Sequence, residues 1–189
     1  MTSKQHFFAL AAIAAALTLT SCTGDIVNAP QLPQTGATSE DYQVVVDASD
    51  KVLADAGEFV PESAIVTVDT SVKDLEVDYH RMPCSDTTSQ YTNTANYHLA
   101  SGTDEIAIID TIRETYVGEG WQRGESIAEQ TGEEQDPAGN YAQLLRSPEG
   151  YTLDVSRSDD GDGGTVIQAS VFSPCIGNPT DKPDSWGKF

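Results

Sequence analysis

The sequence predicts an α+β domain, a mostly antiparallel sheet with two helices on one face and one disulfide. Two segments have the apolar period of amphipathic helices, and the strand patterns occur in runs instead of alternating with helices. Cys84 and Cys175 frame most of the strand-rich region. We expect a single domain over residues 39–176, because 189 residues suffice for one ordinary domain.

The first helix is predicted from Ser39 to Gly57. Thr38 or Ser39 can provide its N-cap oxygen, and acidic residues in the first turn suit the positive end of the helix dipole. The residues at helical spacing are Tyr42, Val45, Val46, Ser49, Val52, Leu53 and Ala56. Two strands, at 64–68 and 75–82, are expected to follow, and the next, at 91–100, to pair with the strand before it.

The second helix is predicted to begin at an N-cap formed by Thr103 and to end before Gly118 and Gly120. Its expected apolar face contains Ile106, Ile109, Ile112, Tyr116 and Val117. Further strands are expected at 121–128, 141–146, 151–156 and 165–172, with a hairpin turn at 147–150. The tail at 177–189 contains two prolines and is expected to be loose.

The amino terminus has the pattern of an export signal. Lys4 precedes an apolar run at 7–17, which is too short and alanine-rich to span a bilayer comfortably. The sequence Leu19-Thr20-Ser21-Cys22 then resembles the bacterial lipobox. This resemblance implies that residues 1–21 are a cleaved signal peptide and that the sulfur of Cys22 carries a diacylglyceryl group. An ordinary signal peptide or an uncleaved anchor is the alternative.

Residues 22–38 are expected to form a lipidated, flexible tether, because they contain few large apolar residues and almost no charge. A coil of the sixteen residues after Cys22 reaches about 20 Å. The expected location is the outer face of the bacterial plasma membrane, which the protein contacts through palmitate-type acyl chains.

The other two cysteines form an even pair, which predicts a disulfide between Cys84 and Cys175 in an oxidising compartment. A zinc site that adds His80 and His98 is the alternative, although no C-x-x-C or H-x-x-x-H spacing occurs. No cofactor is expected.

Two acidic segments are candidates for cation binding. Asp159, Asp160 and Asp162 alternate with small residues as calcium ligands can, but Val171 stands where an EF-hand would have glutamate. Because strand patterns flank this segment, a β-turn is the preferred interpretation. The second segment, at 129–140, is interpreted as a solvated charge run.

The sequence contains few groups suited to catalysis. No G-x-S-x-G motif occurs, and residues 124–128 lack the second glycine. Only His80 and His98 remain as histidine bases after residue 21, and both lie in strand patterns. We therefore do not expect an enzyme, and a hydrolase is the less favoured alternative.

The net charge of -20 makes a nucleic-acid partner unfavourable. The order of elements and the placement of the cysteines over residues 75–175 resemble small actinobacterial lipoproteins of the LppA-like type, a resemblance that adds no particular activity. We expect a non-catalytic interaction or binding module that recruits an envelope protein or polymer. A carrier of a small ligand or lipid is the alternative, and it would need an apolar pocket of a few hundred Å³.

Overall fold

A computed structural model of the chain describes residues 32–33, 36–70, 80–125, 141–159 and 164–180. These residues form two helices and an eight-stranded antiparallel sheet, so the predicted α+β class is confirmed. The predicted signal peptide, Cys22, Asp160, Asp162 and the acidic segment at 129–140 lie outside the described residues. So do residues 75–79 and 126–128 of two predicted strands.

The sheet has the strand order β1-β3-β7-β6-β5-β4, and β2 and β8 pair with the first part of β3. The elements in chain order are α1 (Ser39–Gly57), β1 (Ile65–Thr70), β2 (Arg81–Pro83), β3 (Thr88–Leu99), α2 (Glu105–Gly118), β4 (Gln122–Gly124), β5 (Tyr141–Arg146), β6 (Thr152–Asp159), β7 (Thr165–Phe172) and β8 (Ile176–Gly177). A single 3-10 turn, Glu62–Ala64, precedes β1.

Both helices pack on the same face of the sheet. The alternation of β3 buries every second side chain, and its register with β7 places Ala95 opposite Ala169 and Tyr97 opposite Ile167 on the helix-covered face. These residues join one apolar core with Leu53 of α1 and with residues of α2. The predicted arrangement of two helices on one face of an antiparallel sheet follows directly from this alternation.

Helix α1 begins and ends where its sequence predicts. Thr38 is the N-cap, and its hydroxyl accepts a hydrogen bond from the backbone N–H of Asp41, whose carboxylate accepts one from the Thr38 N–H. This reciprocal pair is a capping box. Tyr42, Val45 and Val46 pack against Tyr91 and Ile176 in a second, smaller apolar cluster.

Helix α2 begins one residue later than predicted. Its N-cap is Asp104, whose carboxylate accepts a hydrogen bond from the Ala107 N–H, whereas the Thr103 hydroxyl donates to the Ala100 carbonyl. Its apolar face is also rotated, because Ile108 is buried and Val117 is exposed. Ile109 is buried as predicted, and the adjacent Ile108, which the predicted face did not include, is buried beside it.

The domain extends beyond both of its predicted boundaries, because segments assigned to the tether and the tail pack on each other. The Gly177 N–H donates to the Pro33 carbonyl at 2.6 Å, and the Thr180 N–H donates to the Ala37 carbonyl at 3.0 Å. Ala37 is fully buried, and Leu32 packs on the smaller apolar cluster. Leu32 and Ala37 therefore belong to the folded domain.

Candidate functional site

A groove opens on the helix-covered side of the sheet, beside the edge where β1 ends. Strands β1 and β2 pair with the same edge of β3, opposite β7 and β8. The last pair of β1 joins Thr70 to Ala95, and the first pair of β2 joins Arg81 to Tyr91. The described strand pairing is therefore interrupted on this edge at residues 92–94, and the groove lies beside that interruption.

This edge groove has a volume of about 280 Å³. Its described lining residues come from three elements that are distant in sequence: Asp50, Leu53, Ala54, Thr70, Asn93, Ala95 and Tyr97. Leu53, Ala54 and Ala95 make one part apolar, and Tyr97 adds a largely buried ring. The ring lies so close to α1 that a Cβ atom added at Gly57 would overlap the Tyr97 hydroxyl.

A hydrogen-bonded corner around Asp50 and Asn93 forms the polar part of the edge groove. The Asp50 Oδ1 atom accepts from the Tyr91 hydroxyl at 3.0 Å and from the Asn93 amide at 2.7 Å. Burial raises the pKa of Tyr91, and the neighbouring Asp50 carboxylate raises it further, so the phenol remains a neutral donor. Asp50 therefore lines the same groove as the apolar residues Leu53, Ala54 and Ala95.

The opposite side of the sheet is covered by neither helix, and we call it the helix-free face. By strand register, its polar residues are Thr92, Thr94, Asn96, His98, Thr152, Asp154, Ser156, Gln168 and Ser170, and the apolar Val166 and Phe172 lie in its two end rows. Several of these polar side chains pair across strands: Thr94 Oγ1 lies 2.9 Å from Ser170 Oγ, and the Gln168 amide donates to Asn96 Oδ1 at 2.9 Å. The central rows of the face are therefore polar, and its end rows contain Val166 and Phe172.

Asp154 is the exception on the helix-free face, because one of its oxygens is buried. In the described part of the chain its Oδ1 atom has no hydrogen-bond partner, and burial raises the pKa of its carboxyl. The residue lies between Leu144 of β5 and Ser170 of β7 in the register.

The structure confirms the predicted disulfide between Cys84 and Cys175, which joins the end of β2 to the start of β8. The Cα atoms are 6.3 Å apart. Because the two sulfurs are bonded to each other, they are not thiolates, and the alternative zinc site is wrong.

The structure separates the two candidate histidines. His80 is 6% exposed, its ring centre lies 6.0 Å from that of Tyr91, and its buried Nε2 atom has no hydrogen-bond partner. His98 lies at the other end of β3, where its Nε2 atom is 3.0 Å from Asp69 Oδ2. The described residues thus place the histidines in two different surroundings.

Of the three calcium candidates, the structure describes Asp159 alone. Its carboxylate is 72% exposed, and Oδ1 lies 3.6 Å from the Arg157 guanidinium. Arg157 also approaches Glu105 at 3.9 Å, in the first turn of α2. Within the described ranges, no three acidic, histidine or cysteine side chains are grouped as metal ligands.

The edge groove was not predicted from the sequence. The available signal was two polar residues at inward positions, Asp50 beside the buried Ser49 and Asn93 among the buried residues of β3. Polar residues at inward positions need partners, but a single sequence does not show which partners the fold provides.

Comparison of the chain with protein-family models, curated proteins and solved structures gave no match. The fold, the edge groove and the helix-free face are therefore interpreted from their own chemistry. Among the described residues, neither helix is long and apolar enough to cross a bilayer.

Proposed function

We propose that the protein is a lipid-anchored, extracytoplasmic and non-catalytic binding module of the bacterial cell envelope. The lipobox-like sequence Leu19-Thr20-Ser21-Cys22 supports the anchor. The Cys84–Cys175 disulfide supports an oxidising compartment, because structural disulfides are rare in the cytosol. A lipid on Cys22 places the domain at the outer surface of the plasma membrane.

The helix-free face is the observation that carries the binding role. Its central rows are polar and lie outside the helix-packed core, and Gln168 is exposed in its β7 row. Apart from Asp154, the side chains of these central rows are hydroxyls and amides, which donate and accept hydrogen bonds without a fixed charge. Such a surface suits a protein or polymer of the envelope better than a charged nucleic acid.

Metabolic labelling with a palmitate analogue tests the anchor. We expect label on the wild-type protein and none on the Cys22→Ala variant, since the thioether bond requires the sulfur. A Cys84→Ala variant is the matched cysteine control and should keep its label. Equal labelling of the wild type and Cys22→Ala would overturn the anchor.

Photo-crosslinking in the native host tests the binding surface. A photoreactive residue replaces Gln168 on the helix-free face or, as a control, Gln43 on the exposed side of α1. The two positions are matched, because each glutamine is exposed and its amide donates one hydrogen bond. We expect one discrete crosslinked product from position 168 and none from position 43. The same products from both positions, or none from either, would contradict the proposal.

The edge groove favours a second candidate function, the binding of a small ligand. Its volume of about 280 Å³ is at the lower end of known ligand pockets, and it combines an apolar wall with converging polar groups. This candidate is compatible with the same anchor and does not need the helix-free face.

A further inference from the structure

We propose that the edge groove binds a small organic cation, an alkylammonium whose charged group lies against Asp50 and whose carbon chain lies along Leu53, Ala54 and Ala95. This inference rests on the second candidate function, small-ligand binding, and adds the chemical class of the ligand.

The charge of the corner selects a cation. The two hydrogen bonds to Asp50 Oδ1 come from a phenol and an amide, which are both neutral donors. In the part of the chain that the structure describes, no lysine, arginine or histidine forms an ion pair with Asp50. An ammonium group would add the missing positive charge through a charge-assisted hydrogen bond.

The arrangement of the oxygens favours an ammonium over a guanidinium. Oδ1 already accepts two hydrogen bonds, and none of the described hydrogen bonds reaches Oδ2. A guanidinium binds best through two parallel bonds to both carboxylate oxygens, whereas an ammonium is a compact charge that needs only one.

The walls of the edge groove limit the size of the carbon chain. A volume of about 280 Å³ fits a ligand of a few carbon atoms rather than a lipid tail. Leu53, Ala54 and Ala95 offer apolar contact next to the carboxylate, and the Tyr97 ring borders the same space. The net charge of -20 also raises the concentration of cations around the protein and repels anions.

A titration of the full-length protein in detergent micelles tests the proposal. Butylammonium is the probe, with 1-butanol, butyrate and guanidinium as neutral, anionic and planar-cation controls. Alanine methyl groups carry the NMR label, because Ala54 and Ala95 both line the edge groove. We expect saturable shifts of these two methyl signals with butylammonium and much weaker effects with the other three compounds.

Asp50→Asn and Asp47→Asn form a matched pair of variants. Both remove one negative charge from α1, but Asp47 lies on the exposed side, where it accepts from Gln43. We expect Asp50→Asn to weaken butylammonium binding by at least about tenfold, since a hydrogen bond to a charged group is lost. Asp47→Asn should leave the affinity unchanged.

The outcomes distinguish the inference from the function on which it rests. Equal affinity for 1-butanol and butylammonium would overturn the cation inference and would keep small-ligand binding. Tighter binding of guanidinium would overturn the choice of ammonium. No saturable shift at Ala54 and Ala95 with any probe would overturn both. If Asp50→Asn does not fold, the comparison of the four probes on the wild type still decides.

Discussion

At the scale of single residues, Asp154 is an unfavourable group, because one oxygen of its carboxylate is buried without a hydrogen bond among the described residues. A buried carboxylate oxygen without a hydrogen-bond partner loses its hydration and gains no replacement. The same burial raises the pKa of Asp154 above its ordinary value of 3.8. As pH rises through 3.8, the unfolded chain releases this proton before the folded chain does, so this group lowers stability across that window. Above the raised pKa, the loss is complete.

We therefore expect Asp154→Asn to increase the free energy of unfolding at pH 7 by about 1 kcal/mol, because the cost of burying a charge disappears. At pH 3, where the carboxyl is protonated in both states, the gain should vanish. Urea unfolding at the two pH values measures both numbers. The exposed Asp47→Asn is the control and should change stability by less than about 0.5 kcal/mol at either pH. A loss of stability in Asp154→Asn at pH 7 would be the contrary result.

The positions of these residues in the sequence also explain why the edge groove was not predicted. The helical period identifies Ser49 and Leu53 as inward-facing, and Asp50 follows Ser49 directly in the sequence. The helical period does not show which residues form hydrogen bonds with Asp50. Tyr91 and Asn93 are more than forty residues away, and they meet Asp50 through tertiary packing alone.

At the scale of elements, the beginning of α2 shows which of two adjacent residues, Thr103 or Asp104, is the N-cap of the helix. Thr103 and Asp104 are both good N-cap residue types, so composition alone does not decide between them. In the structure, the Asp104 carboxylate accepts from the Ala107 N–H, and Thr103 bonds back to Ala100. The negative charge of Asp104 also suits the positive end of the helix dipole.

We expect Asp104→Ala to lower the free energy of unfolding by about 1 kcal/mol, because one amide at the start of α2 loses its acceptor. Thr103→Ala should cost less, since its hydrogen bond lies outside the helix. Thermal or urea unfolding of the two variants side by side provides the comparison. A larger loss in Thr103→Ala would show that the residue predicted from the sequence is the true cap.

Long elements could be predicted from the sequence, and very short ones could not. The helix Ser39–Gly57 and the strands Tyr141–Arg146 and Thr165–Phe172 have enough residues to show a period. Ile176–Gly177 has two residues and becomes a strand because the disulfide and β3 hold it in register. The hairpin turn was predictable from the sequence Ser147-Pro148-Glu149-Gly150. In the structure, Gly150 adopts a φ of +94°, a backbone conformation that favours glycine.

At the scale of the whole molecule, the disulfide closes a long loop of the chain. Its cysteines are 91 residues apart and join the edge strand β2 to β8 on the other side of β3. The bond restricts the unfolded chain, and the restriction increases with the length of the loop it closes.

We expect the double variant Cys84→Ser, Cys175→Ser to lose about 2–5 kcal/mol of unfolding free energy. Chemical denaturation with and without a reductant tests this. The reduced wild type should unfold at the same denaturant concentration as the double variant, and the double variant should not respond to reductant. If the oxidised wild type and the double variant unfold together, the bond does not stabilise the domain.

The contact between residues 32–38 and 177–180 has a consequence for engineering the chain. Because the Pro33 carbonyl accepts from the Gly177 N–H, the two ends of the described domain are direct neighbours. A short peptide linker can therefore join them in a circularly permuted protein whose new termini open at the exposed Pro148–Glu149 turn. Such a permutant would keep every strand pairing described above, and its chain ends would lie at the 148–149 turn instead of beside the contact of Pro33 with Gly177.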